Sequence, residues 1–293
     1  MSIITPRRWR EDLSRSVGDW ETVVTSGAGI GGLTFPSTSR DGYGGGATSN
    51  LYRSFWSLSQ TLSEYRIVTT FSGVSPATFT VTPAYSANIA SAATLELHVY
   101  RPDLYAEAAK RAIRKAWPFL HLPTLDDTTV MVGDDFDYPM PGGILASQIT
   151  QVMMEGSGNF DNMPYHAMSD VSYSPDSTRL WLNRGNHHKW DSPVIADRKL
   201  YVFAMKYLTP FPDNPTYGTL VNDTTPYIEL DEMSPQYELL LLYGKASLYE
   251  IMGEQPANSR RDEHRALAQT ALVQAERQRN DWRMPLPENP YVA

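Results

Sequence analysis

The chain has 293 residues, a formal net charge of −8 and no cysteine. The length suggests one large domain or two smaller ones, and the lack of cysteine excludes a disulfide framework and a thiolate metal site. The acidic balance argues against a dedicated nucleic-acid binder, which usually carries a basic face. No apolar run reaches the length of about 18 residues that spans a bilayer, so we expect no membrane partner.

The N-terminal part, residues 1–101, reads as a short helix, a glycine-rich loop and a β segment. A helix near 5–17 is predicted because Thr5 can cap it and Pro6 suits its first position. Strands are predicted at 65–71, 77–82 and 94–100, where β-branched and aromatic residues recur.

The remainder, residues 102–293, reads as a helical core with a β-rich insertion at 125–232 and a proline-rich C-terminal tail. Apolar residues recur every four positions along 102–117 and predict a second helix. A third helix, 234–253, is apolar nearly all round at Leu239 to Leu242 and should be buried. A fourth, 258–282, pairs with it as an α-hairpin. The sequence therefore predicts an α+β fold, a bundle of helices near 5–17, 102–117, 234–253 and 258–282 with large β-rich insertions.

Gly27, Gly29 and Gly32 have the G-x-G-x-x-G spacing of a dinucleotide-binding turn. Such a turn needs a strand before it and a helix after it, because the helix N-terminus holds the pyrophosphate. Pro36 and further glycines exclude a helix here. The sequence instead predicts a long mobile loop over 26–50 that becomes ordered on assembly.

Other candidates for chemistry lack the required spacing. A metal site at His187 and His188 with Asp191 and Asp197 has no H-x-H or H-x-x-x-H pattern. A calcium loop built from the aspartates has no glycine at its sixth position, and Ser157 with a distant His264 has no nucleophile elbow. We therefore predict no catalytic residue, no metal and no cofactor. The aspartates of that acidic cluster are Asp126, Asp127, Asp134, Asp135 and Asp137.

Arginines crowd the last helix, and two spacings place pairs of them on one face. Two interpretations stay open: a solvated face with internal ion pairs, or a docking surface for an acidic partner or passing DNA. Abundant tyrosine and tryptophan near proline-rich segments fits extended arms that lie on neighbours. The interface candidates are Gly27, Gly29, Gly32, Tyr43, Arg261, Arg265, Arg279, Arg283 and Tyr291.

Four parts of the chain resemble structural virion proteins of tailed bacteriophages, in particular head–tail adaptor proteins, also called connector or neck proteins. The first is "REDLSRSVGDWETVVTSGAG" at 10–29, and the second is "YAEAAKRAIRKAWPFL" at 105–120. The third is "VGDDFDYPMPGGI" at 132–144. The fourth joins "YELLLLYGKASLYEIM" at 237–252 to "RALAQTALVQAERQRN" at 265–280.

The resemblance implies a protein that is not an enzyme. It implies a homo-oligomeric ring of twelve copies beneath the portal protein, with downstream neck or tail proteins as further partners. Double-stranded DNA would pass through without sequence specificity. The location would be the virion, after assembly in the host bacterial cytoplasm.

Two alternatives remain. One is a tail-tube, tail-terminator or collar protein. The other, of another class, is a glycan-binding or glycan-hydrolysing domain in which Asp134 and Asp137 would act as a carboxylate pair.

Overall fold

The computed structural model describes residues 4–27, 29–42, 51–131, 137–155, 165–168, 171–174, 176, 178–182, 198–212, 227–255 and 258–279. Internal contacts divide these residues into two compact units. The first unit contains the residues up to Ala116 and those from Thr209 onward, and the second contains Trp117 to Leu208. The division expected at residues 101 and 102 follows the change from strands to helices in the sequence and stays a prediction.

Six short strands of the first unit form one antiparallel sheet. They are β1 (Glu21–Val24), β2 (Thr34–Ser37), β3 (Trp56–Ser59), β4 (Glu64–Ser72), β5 (Ala77–Thr82) and β6 (Thr94–His98). The strand order is β1-β6-β3-β4-β5-β2. The two edge strands meet, because the Ser26 N–H donates to the Pro36 carbonyl at 3.0 Å and the Ser37 hydroxyl donates to the Val24 carbonyl at 2.8 Å. The sheet therefore curls towards a barrel.

The curled sheet encloses an apolar core rich in aromatic rings. Phe35 and Phe79 stack with their centroids 4.9 Å apart, and Phe71 lies 4.7 Å from Phe79. On β5 the buried residues alternate with threonines, which is the period-two pattern of a strand with one buried face. The core of the first unit's sheet consists of Val23, Phe35, Tyr52, Val68, Phe71, Ala77, Phe79, Val81, Tyr85, Ile89, Leu95 and Leu97.

Four helices complete the first unit: α1 (Pro6–Ser16), α2 (Leu104–Ala116), α3 (Pro235–Glu254) and α4 (Arg261–Gln278). The Thr5 hydroxyl caps α1 at the Arg8 N–H, and the Ser234 hydroxyl caps α3 at the Tyr237 N–H. Helix α3 packs against α1, α2 and α4, so it is buried on several sides, as its apolar sequence predicts. Leu239 and Leu240 are buried, whereas Leu241 and Leu242 are only half-buried.

The predicted helix positions are confirmed, but the prediction of a helical bundle with β-rich insertions is wrong. The described residues contain four helices and many antiparallel strands, and the curled sheet has a core of its own. The sheet is therefore not an insertion that decorates a bundle. The reason is that Phe35, within the expected loop, and Tyr52 lie in the apolar core of the sheet.

The described residues of the second unit contain two smaller antiparallel sheets. Its strands are β7 (Leu122–Asp126), β8 (Asp137–Pro139), β9 (Ile149–Glu155), β10 (Tyr165–Ala167), β11 (Val171–Tyr173), β12 (Arg179–Leu182) and β13 (Leu200–Lys206). The strand orders are β10-β9-β13-β7 and β11-β12-β8. Strand β13 lies inside its sheet, a position that suits its long apolar run. Within the described residues, no helix is both long enough and apolar enough to cross a membrane.

Candidate functional site

The glycine motif forms a tight hairpin between β1 and β2. Ile30 and Leu33 flank a two-residue turn, and Gly31 and Gly32 have φ angles of +58° and +66°. Positive φ at both central positions is the property of a type I′ turn, which glycine accommodates without strain. Strand β2 follows this turn, so the helix N-terminus that a dinucleotide site needs is not present after Gly32.

The hairpin is anchored to the loop between β5 and β6. The Gly29 N–H donates to the Ile89 carbonyl at 2.8 Å, and the Gly32 N–H donates to Asn88 Oδ1 at 3.0 Å. The Tyr85 N–H donates to the Gly32 carbonyl at 2.9 Å. The expected mobile loop is therefore a hydrogen-bonded hairpin in its described part, and residues 43–50 lie outside the described residues.

These anchors decide which hairpin atoms a partner could reach. Of the predicted interface glycines, Gly29 and Gly32 are buried and Gly27 is half-buried. The exposed groups are the side chains of Ile30 and Leu33, which are 77% and 46% exposed. The glycine spacing pointed to backbone atoms, whereas the hairpin exposes the Ile30 and Leu33 side chains. The role of these glycines as interface residues stays a prediction.

A short substitution series tests the hairpin. Gly32→Ala should lower the free energy of unfolding by roughly 2 kcal/mol or more, because its Cβ would lie 2.4 Å from the Tyr85 carbonyl oxygen at positive φ. Gly31→Ala has positive φ but open space, so we expect about 1 kcal/mol. Gly27→Ala is the control, expected within about 0.5 kcal/mol. Urea unfolding measures all three, and equal values would contradict the described hairpin.

The predicted arginines bind groups within their own helical hairpin. Arg261 Nε donates to the Gly253 carbonyl at 2.9 Å. Arg265 lies 3.7 Å from Asp262, and Arg279 pairs with Glu276. These contacts fit the interpretation of internal ion pairs and do not decide against a docking role, since Arg261 and Arg265 remain exposed. The other interface candidates, Tyr43, Arg283 and Tyr291, lie outside the described residues.

The candidates for chemistry are either paired or outside the described residues. Asp137 forms an ion pair with Arg179 at 2.7 Å, and Asp127 pairs with Lys199 at 3.4 Å. His264 is buried, and its Nδ1 lies 2.8 Å from the Arg260 carbonyl. Among the described residues, no three His, Asp or Glu side chains are arranged to hold a metal ion. The candidates outside are Asp134, Asp135, Ser157, His187, His188, Asp191 and Asp197.

A cleft of about 420 Å³ lies in the second unit. Two threonines, an apolar group around Met140 and the paired Asp137 form its walls. In the glycan-hydrolase alternative, Asp137 would act together with Asp134. The Asp137 carboxylate is paired with Arg179, and Asp134 lies outside the described residues. The lining residues are Thr128, Thr129, Val130, Asp137, Tyr138, Pro139, Met140, Pro141 and Gly142.

Sequence reasoning missed a buried ionic cluster, which we call the Glu96 cluster: Arg10, Asp19, Glu96, His98 and Tyr105. Arg10 donates twice to the Glu96 carboxylate, at 2.9 Å from Nε and 2.7 Å from Nη2. Arg10 is 2% exposed and Glu96 is fully buried. A bidentate guanidinium–carboxylate pair is among the stronger polar contacts in proteins.

The imidazole of His98 bridges the Glu96 carboxylate and the backbone carbonyl of Asp19. Its Nε2 lies 3.0 Å from Glu96 Oε2, and its Nδ1 lies 3.1 Å from the backbone carbonyl of Asp19. The Asp19 carboxylate accepts hydrogen bonds from the Tyr105 hydroxyl and from the backbone N–H groups of residues 99 and 100. The cluster therefore connects α1, the turn after it, β6 and α2.

Burial and pairing shift the two carboxylates in opposite directions. Burial disfavours ionised Glu96, but the hydrogen bond with His98 and the Arg10 charge outweigh it, so the pKa of Glu96 falls to about 2. Burial of Asp19 outweighs the nearby His98 and the hydrogen bonds that it accepts, so the pKa of Asp19 is raised.

Two carboxylates and an imidazole also form the usual set for acid–base catalysis. Here the five members of the Glu96 cluster are each at most 5% exposed, and the two carboxylates and the imidazole are hydrogen-bonded within the cluster or to backbone groups. A substrate could reach none of them without opening the fold. The arrangement therefore fastens the helices to the sheet and is not suited to catalysis.

One sequence signal could have located the cluster. In Thr94–His98, the apolar Leu95 and Leu97 alternate with Glu96 and His98. Alternation predicts one exposed face, yet both faces are buried, because Arg10 of α1 and Tyr105 of α2 lie against the polar one. Comparison of the chain with protein-family models and with curated proteins gives no match.

Proposed function

We propose that this protein is a structural virion protein of a tailed phage, a ring-forming head–tail adaptor between portal and tail. The observation that carries the proposal is the arrangement of the parts that resemble such proteins. Of the four resembling parts, the first, the fourth and residues 105–116 of the second fall within the first unit, and their helices pack around α3. The described residues of the third, 137–144, fall within the second unit. Segments that are far apart in the sequence thus belong to one compact unit.

The character of the polar groups supports a structural role. The Glu96 cluster lies in the interior and holds α1, α2 and β6 together. The arginines of α4 pair with carboxylates and a backbone carbonyl of the same helical hairpin. A subunit of a ring has to keep its shape under load, and a well-connected interior provides that stiffness.

In a closed ring each subunit presents two different surfaces, because a head-to-tail contact joins one face to another face of the next copy. The proposed partners are further copies of the chain, a portal protein above and a neck or tail protein below. DNA would pass without sequence-specific contacts.

Negative-stain electron microscopy of the purified chain at micromolar concentration tests the proposal. Closed rings would support the adaptor, whereas long stacked tubes would favour the tail-tube alternative. A chain that stays monomeric at every concentration would overturn the ring proposal. A monomer that also binds or cleaves bacterial polysaccharide in a panel of glycans would support the alternative of the other class.

A further inference from the structure

One end of the first unit carries an exposed surface without charged residues. We call it the neutral tip: residues 26, 27 and 29–33 of the glycine hairpin and residues 83–93 of the loop that anchors it. The sequence contains no Asp, Glu, Lys, Arg or His between Glu21 and Arg40, nor between Arg66 and Glu96. In a chain in which 20% of residues are charged, two such stretches that pack together make a distinct surface.

The neutral tip exposes two large apolar side chains at its turn. Ile30 is 77% exposed and Leu33 is 46% exposed, and the two flank the same turn. Ala87, Ala90 and Ala92 of the adjoining loop are also exposed. The lack of charge on the neutral tip fits the central part of protein–protein interfaces, from which charged residues are depleted.

The hairpin is held in place before any partner arrives. Three backbone–backbone hydrogen bonds fix it, Gly29 to Ile89, Tyr85 to Gly32 and Val81 to Leu33, together with one from the Gly32 N–H to the Asn88 side chain. Docking of a preformed hairpin avoids the entropy that a flexible loop would lose on binding. This property differs from the expectation that the loop becomes ordered only on assembly.

The chemistry of the neutral tip excludes three classes of partner. DNA binding needs Lys or Arg against phosphates, and the tip has neither. Binding to anionic lipid needs basic residues beside apolar ones. A glycan site needs exposed aromatic rings or carboxylates, and Tyr85, the aromatic residue of the loop, is buried. A protein surface is the partner that remains.

We infer that the neutral tip is the surface through which one copy of the chain contacts a second copy. Two copies that each carry −8 repel each other, so their contact is most favourable where neither presents a charge. The charged side chains bonded to the tip, Glu64 and Arg66, form an ion pair with each other at 2.7 Å and add little net field. This inference rests on the proposed ring and assigns one of its two contact surfaces.

The absence of cysteine in the chain allows a direct test. Ile30→Cys places a single thiol at the tip, and Thr61→Cys places one at another exposed turn of the same unit as a control. Each variant is labelled with a maleimide when dilute and when assembled, and sedimentation gives the oligomeric state. We expect labelling at the tip to slow by roughly tenfold or more on assembly, because mass action keeps the contact occupied, and labelling at the control position to change less.

The possible outcomes distinguish the contact through the neutral tip from the assembly of a ring. Rings in which the tip thiol reacts as fast as in the dilute protein would overturn the inference and leave the ring. A protected tip in a simple dimer would support the inference and overturn the ring. Protection no greater than that of the control would overturn the assignment to the tip, and a chain that never associates would overturn both. As a second measurement, Ile30→Asp should weaken self-association without changing thermal unfolding, because the side chain is exposed in the subunit.

Discussion

Glu96→Gln should lower the free energy of unfolding by about 3–5 kcal/mol, since it leaves the buried Arg10 guanidinium without its counter-charge. The pair is bidentate, Glu96 is fully buried, and Gln60 Nε2 donates to the same carboxylate at 2.6 Å. An amide can accept fewer hydrogen bonds than a carboxylate, so some donors would lose their acceptor. Urea unfolding monitored by circular dichroism measures the loss.

The same variant should change the response to acid. The folded-state pKa of Glu96, about 2, is below its ordinary value of 4.5. Its contribution to stability is therefore complete above about pH 4.5 and disappears as the pH falls towards 2, a difference of roughly 3 kcal/mol. Asp19 acts oppositely, because its raised pKa gives a contribution that is complete below 3.8 and is lost as the pH rises. We expect Glu96→Gln to show a shallower loss of stability between pH 5 and pH 2.

Two controls separate the charge from the packing. Glu107→Gln removes one of the two carboxylate partners of Arg111 on the surface of α2, and Glu254 remains as the other. The Glu107 side chain is 43% exposed, so the change should cost at most about 1 kcal/mol. The double variant Arg10→Met with Glu96→Leu should recover part of the stability that Glu96→Gln loses, because no charge is then left unpaired. A Glu96→Gln variant as stable as Glu107→Gln would show that the cluster does not hold the fold together.

The helices could be predicted because their signals are local. Thr5 before Pro6 and Ser234 before Pro235 are cap and first-turn pairs that three or four residues define. The apolar repeat of α2 likewise needs no distant partner. Helix bounds therefore follow from the sequence to within a turn.

Two strands at the edges of their sheets show why local sequence signals do not predict every strand. Strand β7 contains Pro123 and β2 contains Pro36, and proline in a run argues against a strand. Both strands lie at the edge of their sheets, where a missing N–H is tolerated. Whether a strand is at an edge depends on the pairing of the whole sheet. The curled sheet therefore remained hidden, and the expected helical bundle was wrong.

The exposed side of the glycine hairpin and the buried Glu96 cluster were only partly predictable, because both depend on residues that are distant in the sequence. The glycine spacing marked the hairpin, but Ile30 becomes the exposed residue only because residues 85–89 hold the glycines from behind. Arg10 and Glu96 are 86 positions apart, so no window of sequence contains the pair. Their side chains gave no sign of burial, since charged residues are seldom buried unless paired.

Leu240→Asp should abolish folding. Leu240 is fully buried on α3, the helix that contacts α1, α2 and α4, so the carboxylate would have neither water nor a counter-charge. An unpaired buried charge costs several kcal/mol or more, and domains of this kind have only about 5–15 kcal/mol of stability. We expect the variant to accumulate as insoluble chain, or to lack a cooperative thermal transition in circular dichroism if it is soluble.

The neighbouring leucine gives a matched control. Leu241 has the same side chain on the same helix but is half-buried, so its carboxylate can turn towards water. From the apolar run alone, Leu241→Asp is predicted to prevent folding, whereas the structure ranks Leu240→Asp as the more damaging of the two variants. Leu241→Asp should fold with a lower melting temperature. If both variants melt cooperatively at similar temperatures, α3 is not the central helix of the first unit, and the packing that supports the proposed adaptor is wrong.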